Sequence, residues 1–461
     1  MNINPKTPEA YQLLHNGTLA LSRAEQQGLR IDMDYIEEQK EFVTKKIAQI
    51  EQEFKETEFY ANWEKSSKNP VNINSSTQLE KYLYEVLGLR IDKETKTGKG
   101  STDDEALKQL NIPELNDLLK AKKLKKVRDT YLDGIGRETV NGVLHPFFDL
   151  GQAVTYRSSS NSPNFQNMPI RDEESMTIVR GAIKPRPGHM LMEADFSGIE
   201  VRVNACINKD KNLIKYIKDP TSDMHADMAT QLFSLSKFNK AIAGHGTLRQ
   251  AAKNAFVFPE FYGSYYKNCV KGLVCSWGKL SKGTWKPGQG IALGNKYLSD
   301  HLISQGIKSF DAMTEHVRLI EEDFWGNRFK EYARWKDLWW DQYQKTGYID
   351  MPTGFRCNGL MDKKQVCNYP GQGSAFHCLL WSLINVDKVM VEEEWDTRIV
   401  GQIHDSILFD TLPEEKEYVK EVVNDILTQQ LPKAFSFICV PMEIEIEEYE
   451  VDGPWVKTKN N

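Results

Sequence analysis

Leu191-Met192-Glu193-Ala194-Asp195-Phe196-Ser197-Gly198-Ile199-Glu200-Val201-Arg202 reads LMEADFSGIEVR. It opens as a buried strand and then sets an acid at 195 where an apolar residue would pack. A strand-end acid or a helix N-cap would account for one such residue. A second stretch, IVGQIHDSILFD (399–410), puts His404-Asp405 between two apolar runs, the pattern of a β-hairpin with a polar tip. If the two strands are neighbours, Asp195 and Asp405 converge, and two like charges held together call for cations between them. Hard divalent ions such as Mg²⁺ bind carboxylates and substrate phosphates together, and paired ions about 3.5–4 Å apart serve phosphoryl transfer.

The stretch between these acids supplies cations. RQAAKNAFVFPEFYGS (249–264) sets Arg249 and Lys253 at i,i+4, so both project from one helix face, as a triphosphate would require. Phe256, Phe258, Phe261 and Tyr262 follow as flat surfaces for a base, although an amphipathic structural helix has the same composition.

The chain has 461 residues, 40% of them hydrophobic, enough for two to four domains with sizeable cores. No run of about 18 apolar residues occurs, and the N-terminus carries neither a signal-peptide core nor a transit pattern, so a cytoplasmic protein without a membrane partner is expected. Seven cysteines without a C-x-x-C pair predict free thiols rather than a disulfide framework or a zinc cluster. The net charge of −6 hides a bipolar distribution. KAKKLKKVR (120–128) carries six cations, the 261–299 segment holds six lysines with Trp277 and Trp285 and no acid, and MEIEIEEYEVD (442–452) is acidic. Cations interleaved with aromatics make 261–299 a candidate single-strand platform; a loop packing its own tryptophans is the alternative.

Organisation follows from periodicity. Ile36, Val43, Ile47, Ile50 and Phe54 form a helical seam, and residues 9–54 read as two long helices packed antiparallel. Further helices are predicted over 77–88 and 103–131. Short extended segments follow from 142, then helices over 210–350 broken by the glycine-rich 272–294, then strands over 398–410 and 440–451. The order is that of an α+β core interrupted by a helical insertion.

With these stretches in view, the chain resembles the family A (bacterial polymerase I-like) DNA polymerases. LMEADFSGIEVR is similar to the first carboxylate motif, RQAAKNAFVFPEFYG to the fingers helix and GQIHDSILFD to the second carboxylate motif. YRSSSNSPNFQNMPIR (156–171) and NYPGQGSAFH (368–377) are similar to two further elements, all five in the family order. The resemblance implies a right-hand polymerase fold with a helical thumb, an antiparallel-sheet palm and helical fingers. The expected division is an N-terminal tail over 1–8, thumb over 9–130, first palm segment over 131–220, fingers over 221–350 and second palm segment over 351–461.

It implies template-directed DNA synthesis as a monomer on primer-template DNA from deoxynucleoside triphosphates. Two Mg²⁺ ions would be held by Asp195, Asp405 and the Phe196 carbonyl. Arg249, Lys253 and His225 would bind the triphosphate, with Lys253 as proton donor to pyrophosphate. Phe258 and Tyr262 would face the nucleotide, and Glu200 would close off the sugar 2′ side. Arg157, Asn164, Gln166, Asn368, Gln372 and His404 would meet the primer-template, and Lys122, Lys123, Lys125 and Lys126 the duplex phosphates.

Three departures stand out. The usual His-Asp-Glu is His404-Asp405-Ser406, one acid short. Lys253 and Tyr262 are nine apart where the family has eight, so a π-bulge near Pro259 is expected, which makes Phe258 rather than Val257 the stacking residue. Nothing resembles the proofreading exonuclease motifs, which points to a phage-type member working with a separate exonuclease or other replisome proteins in the host cytoplasm. A catalytically impaired, DNA-binding replication accessory is the alternative function.

Overall fold

The computed structural model describes residues 4–457 except 92, 96, 111 and 171. Residues 1–3 of the expected tail, 458–461 of the expected last segment and Arg171 of the 156–171 motif lie outside the described residues.

Period-two patterning builds the central sheet. In the strand Met190–Phe196, Met192, Ala194 and Phe196 are buried in the core, while Glu193 and Asp195 point to the opposite face. Four antiparallel strands lie in the order Arg398–Ile403, Ser406–Thr411, Met190–Phe196, Ile444–Val451. The first two form the predicted hairpin, and His404 takes a left-handed φ of 50° at its tip. Phe165, from the 156–171 motif, lies over this hairpin. A Cβ on Gly401 would sit 2.7 Å from its ring, so only glycine permits the approach.

A 30-residue helix, Lys363–Glu392, backs the sheet and starts with a reciprocal cap between Asp362 and Gln365. It packs on the helix Ile199–Asn208, which leaves the end of the central strand. The contact is so close that a Cβ on Gly371 would overlap the Asn204 amide at 2.1 Å. That packing fixes where Glu200 points.

The seam Ile36, Val43, Ile47, Ile50 and Phe54 is buried along the helix Met33–Lys55, each side chain contributing about 1.5–3 kcal/mol. Its partner differs from the expectation. Met33–Lys55 packs on Pro113–Lys126, whereas Pro8–Gln27 packs on Lys363–Glu392 and on the strand Arg398–Ile403. The intervening strand Leu29–Ile31 pairs with Val143–Leu144 and Ile183–Lys184, which separates the two helices. Residues 4–5 also pair with Phe355–Asn358.

Among the described residues three apolar cores form: one around the sheet, one within 205–332 and one within 54–119. Trp285 is 4% exposed in the second of these, its indole N–H bonded to the Ser281 carbonyl, and Trp277 packs against the same core. Trp285 is therefore closed to a stacking base, and Trp277 is half-buried, which favours the loop that packs its own tryptophans. All seven cysteines are free, and no helix among the described residues is long and apolar enough to cross a membrane.

Candidate active site

Pairing of Met190–Phe196 with Ser406–Thr411 sets Asp195 opposite Ser406, and the Phe196 N–H donates to the Asp405 carbonyl at 3.2 Å. The two carboxylates line one cavity, close enough for the charge of Asp405 to act on Asp195. Burial, then the charges of Asp405, Glu193 and Glu445, push Asp195 up to about 8. Burial and Glu200 raise Asp405, against its own backbone hydrogen bond, His404 and Arg157. Such a pair favours either a shared proton or a cation. Among the described residues no three His, Cys, Asp or Glu side chains converge as a closed metal cage. A carboxylate pair beside an open cavity still fits Mg²⁺, which typically binds through one or two carboxylates, substrate phosphate and water.

That cavity, about 700 Å³, has Asp195, Phe196 and Asp405 on one wall and His225, Arg249, Lys253 and Phe258 on the other. Arg249 and Lys253 share a face of the helix that begins at His245, as the i,i+4 spacing predicts. Arg249 Nε donates to Asp223 at 2.8 Å, and Asp223 also caps the next helix at Ala226 N. Lys253 has no carboxylate partner among the described residues; its ammonium lies 5.3 Å from the Phe258 ring centroid.

The predicted bulge is present. Lys253–Val257 form a π-helical turn, closed by the Phe258 N–H on the Lys253 carbonyl. An α-helical turn, Phe258–Phe261, then carries Pro259 at its start, where a missing N–H costs little. Val257 is buried in the neighbouring core, and Phe258 lines the cavity.

The His225 and Phe258 rings meet in a T-shape, centroids 5.6 Å apart, and the His225 Nδ1 is buried without a hydrogen-bond partner. Burial, then Lys253 and Arg249, hold it down at about 4, so it is neutral at pH 7. Because the folded-state value is depressed, the stability from neutral His225 is complete above about 6.5 and is lost as pH falls through about 4. A triphosphate bound beside the ring would reverse the sign of its surroundings. Carbon-13 NMR of the ring is expected to report titration near 4 in the free protein and at least one unit higher with a deoxynucleoside triphosphate. An identical titration with and without nucleotide would place His225 outside the anion site.

Glu200 sits between two partners, Arg157 at 3.1 Å and the Tyr262 hydroxyl, which donates to its other oxygen. Burial and Glu200 together push the Tyr262 phenol well above its ordinary range. Asn368 Nδ2 donates to the Tyr262 carbonyl at 3.0 Å, and Gln372 lies one turn further along the same helix. Gln166 belongs to a network that sequence reading missed. Its amide donates to Ser158 and to Gln402 at 2.6 and 2.7 Å, and Gln402, 1% exposed, donates to the His404 carbonyl at 2.8 Å. A glutamine inside an apolar strand was the available signal.

The lysine cluster is divided. Lys123 pairs with Asp172, and Lys125 with Glu51 and Asn74; Lys122 is half-buried, its value lowered by desolvation. Lys126 is exposed and shares a cavity of about 350 Å³ with Asn164.

Comparison with known proteins bears on this arrangement. Residues 33–278 and 329–450 match the family model for DNA polymerase family A. The chain belongs to DNA polymerase family A. It is 27% identical to DNA polymerase I of Bacillus subtilis (strain 168) over 447 residues, 96% of this chain and 45% of that protein. It is 26% identical to the thermostable DNA polymerase I of Thermus aquaticus over 455 residues, 95% of this chain and 47% of that one. The chain thus spans less than half the length of these curated relatives. Among solved structures, the POL domain of Pol1 from M. smegmatis in complex with DNA primer-template and dNTP aligns with a TM-score of 0.74 at 24% identity, covering 95% of this chain and 70% of that one. This likeness gives the fold, the right-hand polymerase architecture.

Proposed function

We propose that this family A chain extends a DNA primer on a template from deoxynucleoside triphosphates, releasing pyrophosphate. The observation that carries the reading is the shared cavity, with a carboxylate pair facing Arg249, Lys253 and a neutral His225. Asp195, Asp405 and the Phe196 carbonyl would hold two Mg²⁺ ions, whose chemistry is to acidify the primer 3′-hydroxyl and to offset charge on the leaving group. Arg249 and Lys253 neutralise and align the triphosphate, and the Lys253 ammonium donates a proton to the departing pyrophosphate. His225 donates a ring N–H to phosphate oxygen, and Phe258 stacks on the base.

Arg157, Gln372 and His404, supported by Asn164, Gln166 and Asn368, read the minor groove, where acceptors are similar for either orientation of a pair. Lys126 is the principal duplex-phosphate contact, with Lys122, Lys123 and Lys125 joining once their intramolecular partners are exchanged. The proposed division keeps the thumb over 9–130, palm over 131–220 and 351–461, and fingers over 221–350, with Pro8–Gln27 lying on the palm. The protein acts as a monomer in the cytoplasm.

A labelled primer-template with Mg²⁺ and four deoxynucleotides tests the reading. Template-dictated extension is expected; binding of DNA and Mg²⁺ without extension would overturn it in favour of a replication accessory. Glu200 supplies a sharper check on sugar choice. Glu200→Ala removes the carboxylate held between Arg157 and Tyr262 and opens space beside the sugar. Ribonucleotide incorporation relative to deoxynucleotide is expected to rise about tenfold, about 1.4 kcal/mol of discrimination, in a competition assay. Ribonucleotide use left at background would remove Glu200 from this role.

A further inference from the structure

We propose that Glu445 is a third carboxylate of the cation site, acting on the ion's water shell from the strand beside Asp195. The inference rests on the reading of Asp195 and Asp405 as the metal-holding pair.

The sheet register isolates this residue. Asp195 has Ser406 opposite it on one neighbouring strand and Glu445 opposite it on the other. Directly opposed residues hold their Cβ atoms about 4.5–5.5 Å apart, so both flank the carboxylate pair. Ser406 is buried and turned away, its hydroxyl donating to Glu193 Oε1 at 2.7 Å. Glu193 is also spoken for. It accepts from the Trp455 indole at 3.3 Å and the Tyr449 hydroxyl at 3.5 Å, and Arg180 stands 3.9 Å away. It does not replace the acid that position 406 lacks.

Along the acidic strand the neighbours of Glu445 have partners of their own. Glu443 pairs with Arg202 at 2.5 Å, Glu447 with Lys457 at 2.7 Å, and Glu448 with Lys416 and Lys420 at 3.0 and 2.7 Å. The Glu445 side chain is exposed, makes no hydrogen bond or ion pair among the described residues, and lines the same cavity as Asp195, Asp405, Arg249 and Lys253. Ile444 and Ile446 face the core, so the pleat aims Glu445 into the cavity. A like charge directly across from Asp195 is destabilising when nothing stands between them. The strand sets this carboxylate, unpaired among the described residues, beside Asp195 and Asp405, where a divalent cation would compensate the repulsion.

Because no three acids close on a single point, the role is an outer one. Mg²⁺ retains several of its waters, and carboxylates that accept from such waters orient the inner ligands and raise affinity. Glu445 is thus a positioning residue.

The experiment measures Mn²⁺ binding to the protein alone, by the loss of the free-ion electron paramagnetic resonance signal, beside Mg²⁺ titrations of primer extension. Glu445→Gln is expected to weaken Mn²⁺ about tenfold and to raise the Mg²⁺ needed for half-maximal extension in step, with the unfolding midpoint unchanged. Glu445→Asp should recover part of both losses. Glu447→Gln, on the same face two residues along, should leave both unchanged. Unaltered Mn²⁺ affinity in Glu445→Gln, or an equal loss in Glu447→Gln, would overturn the proposal. Asp405→Asn separates the levels. If it abolishes Mn²⁺ binding while Glu445→Gln does not weaken it, only the role of Glu445 fails. If Asp405→Asn also binds Mn²⁺ normally, the metal reading of the pair fails with it.

Discussion

Asp405→Asn is expected to slow single-turnover primer extension by at least about a thousandfold, some 4 kcal/mol of barrier, while primer-template binding stays within a few fold. The amide keeps the shape of the side chain but cannot offer an anionic oxygen to a hard cation. Structurally the change is mild. Burial and the charge of Glu200 already disfavour the ionised form, and Asp195 stands against it, so removing one charge relieves repulsion. The unfolding midpoint should stay level or rise, which separates lost chemistry from lost fold. Extension within tenfold of wild type would remove Asp405 from the reacting centre.

Lys253→Ala is expected to lower kcat/KM for the incoming deoxynucleotide by about 10²–10³, the lower part of the range for losing a positioned proton donor. Arg249 shares the helix face, yet its guanidinium is partly spent on Asp223 at 2.8 Å, whereas Lys253 has no carboxylate partner among the described residues and lies beside the Phe258 ring. Arg249→Ala should therefore cost less. The two roles of Lys253 leave different signatures in steady-state kinetics. A rise in KM with kcat unchanged would mean uniform binding only and would sink the proton-transfer role.

The parts of this site that were legible in the sequence are those written in local pattern. Apolar runs ended by Asp195 and Asp405 encode strands with polar tips, i,i+4 spacing encodes the shared face of Arg249 and Lys253, and Pro259 encodes a disturbed helix. What the sequence left open depends on neighbours distant along the chain. The seam of Met33–Lys55 declared an apolar face but not which helix would cover it. Lys123 and Lys125 looked free until Asp172 and Glu51 were brought beside them. Glu445 was one acid in an acidic run, and only the register of the edge strand singles it out.

The widened turn at Lys253–Val257 makes the length of that helix independent of its aim. Each residue of a regular helix advances the side-chain direction by about 100°, so one extra residue would swing Phe258 and Tyr262 roughly a quarter-turn out of phase with Arg249 and Lys253. The π turn takes up the surplus, and Phe258 lines the same cavity as Arg249 and Lys253. A pattern that counts residues from lysine to tyrosine misjudges this chain, whereas one that measures angle about the helix axis does not.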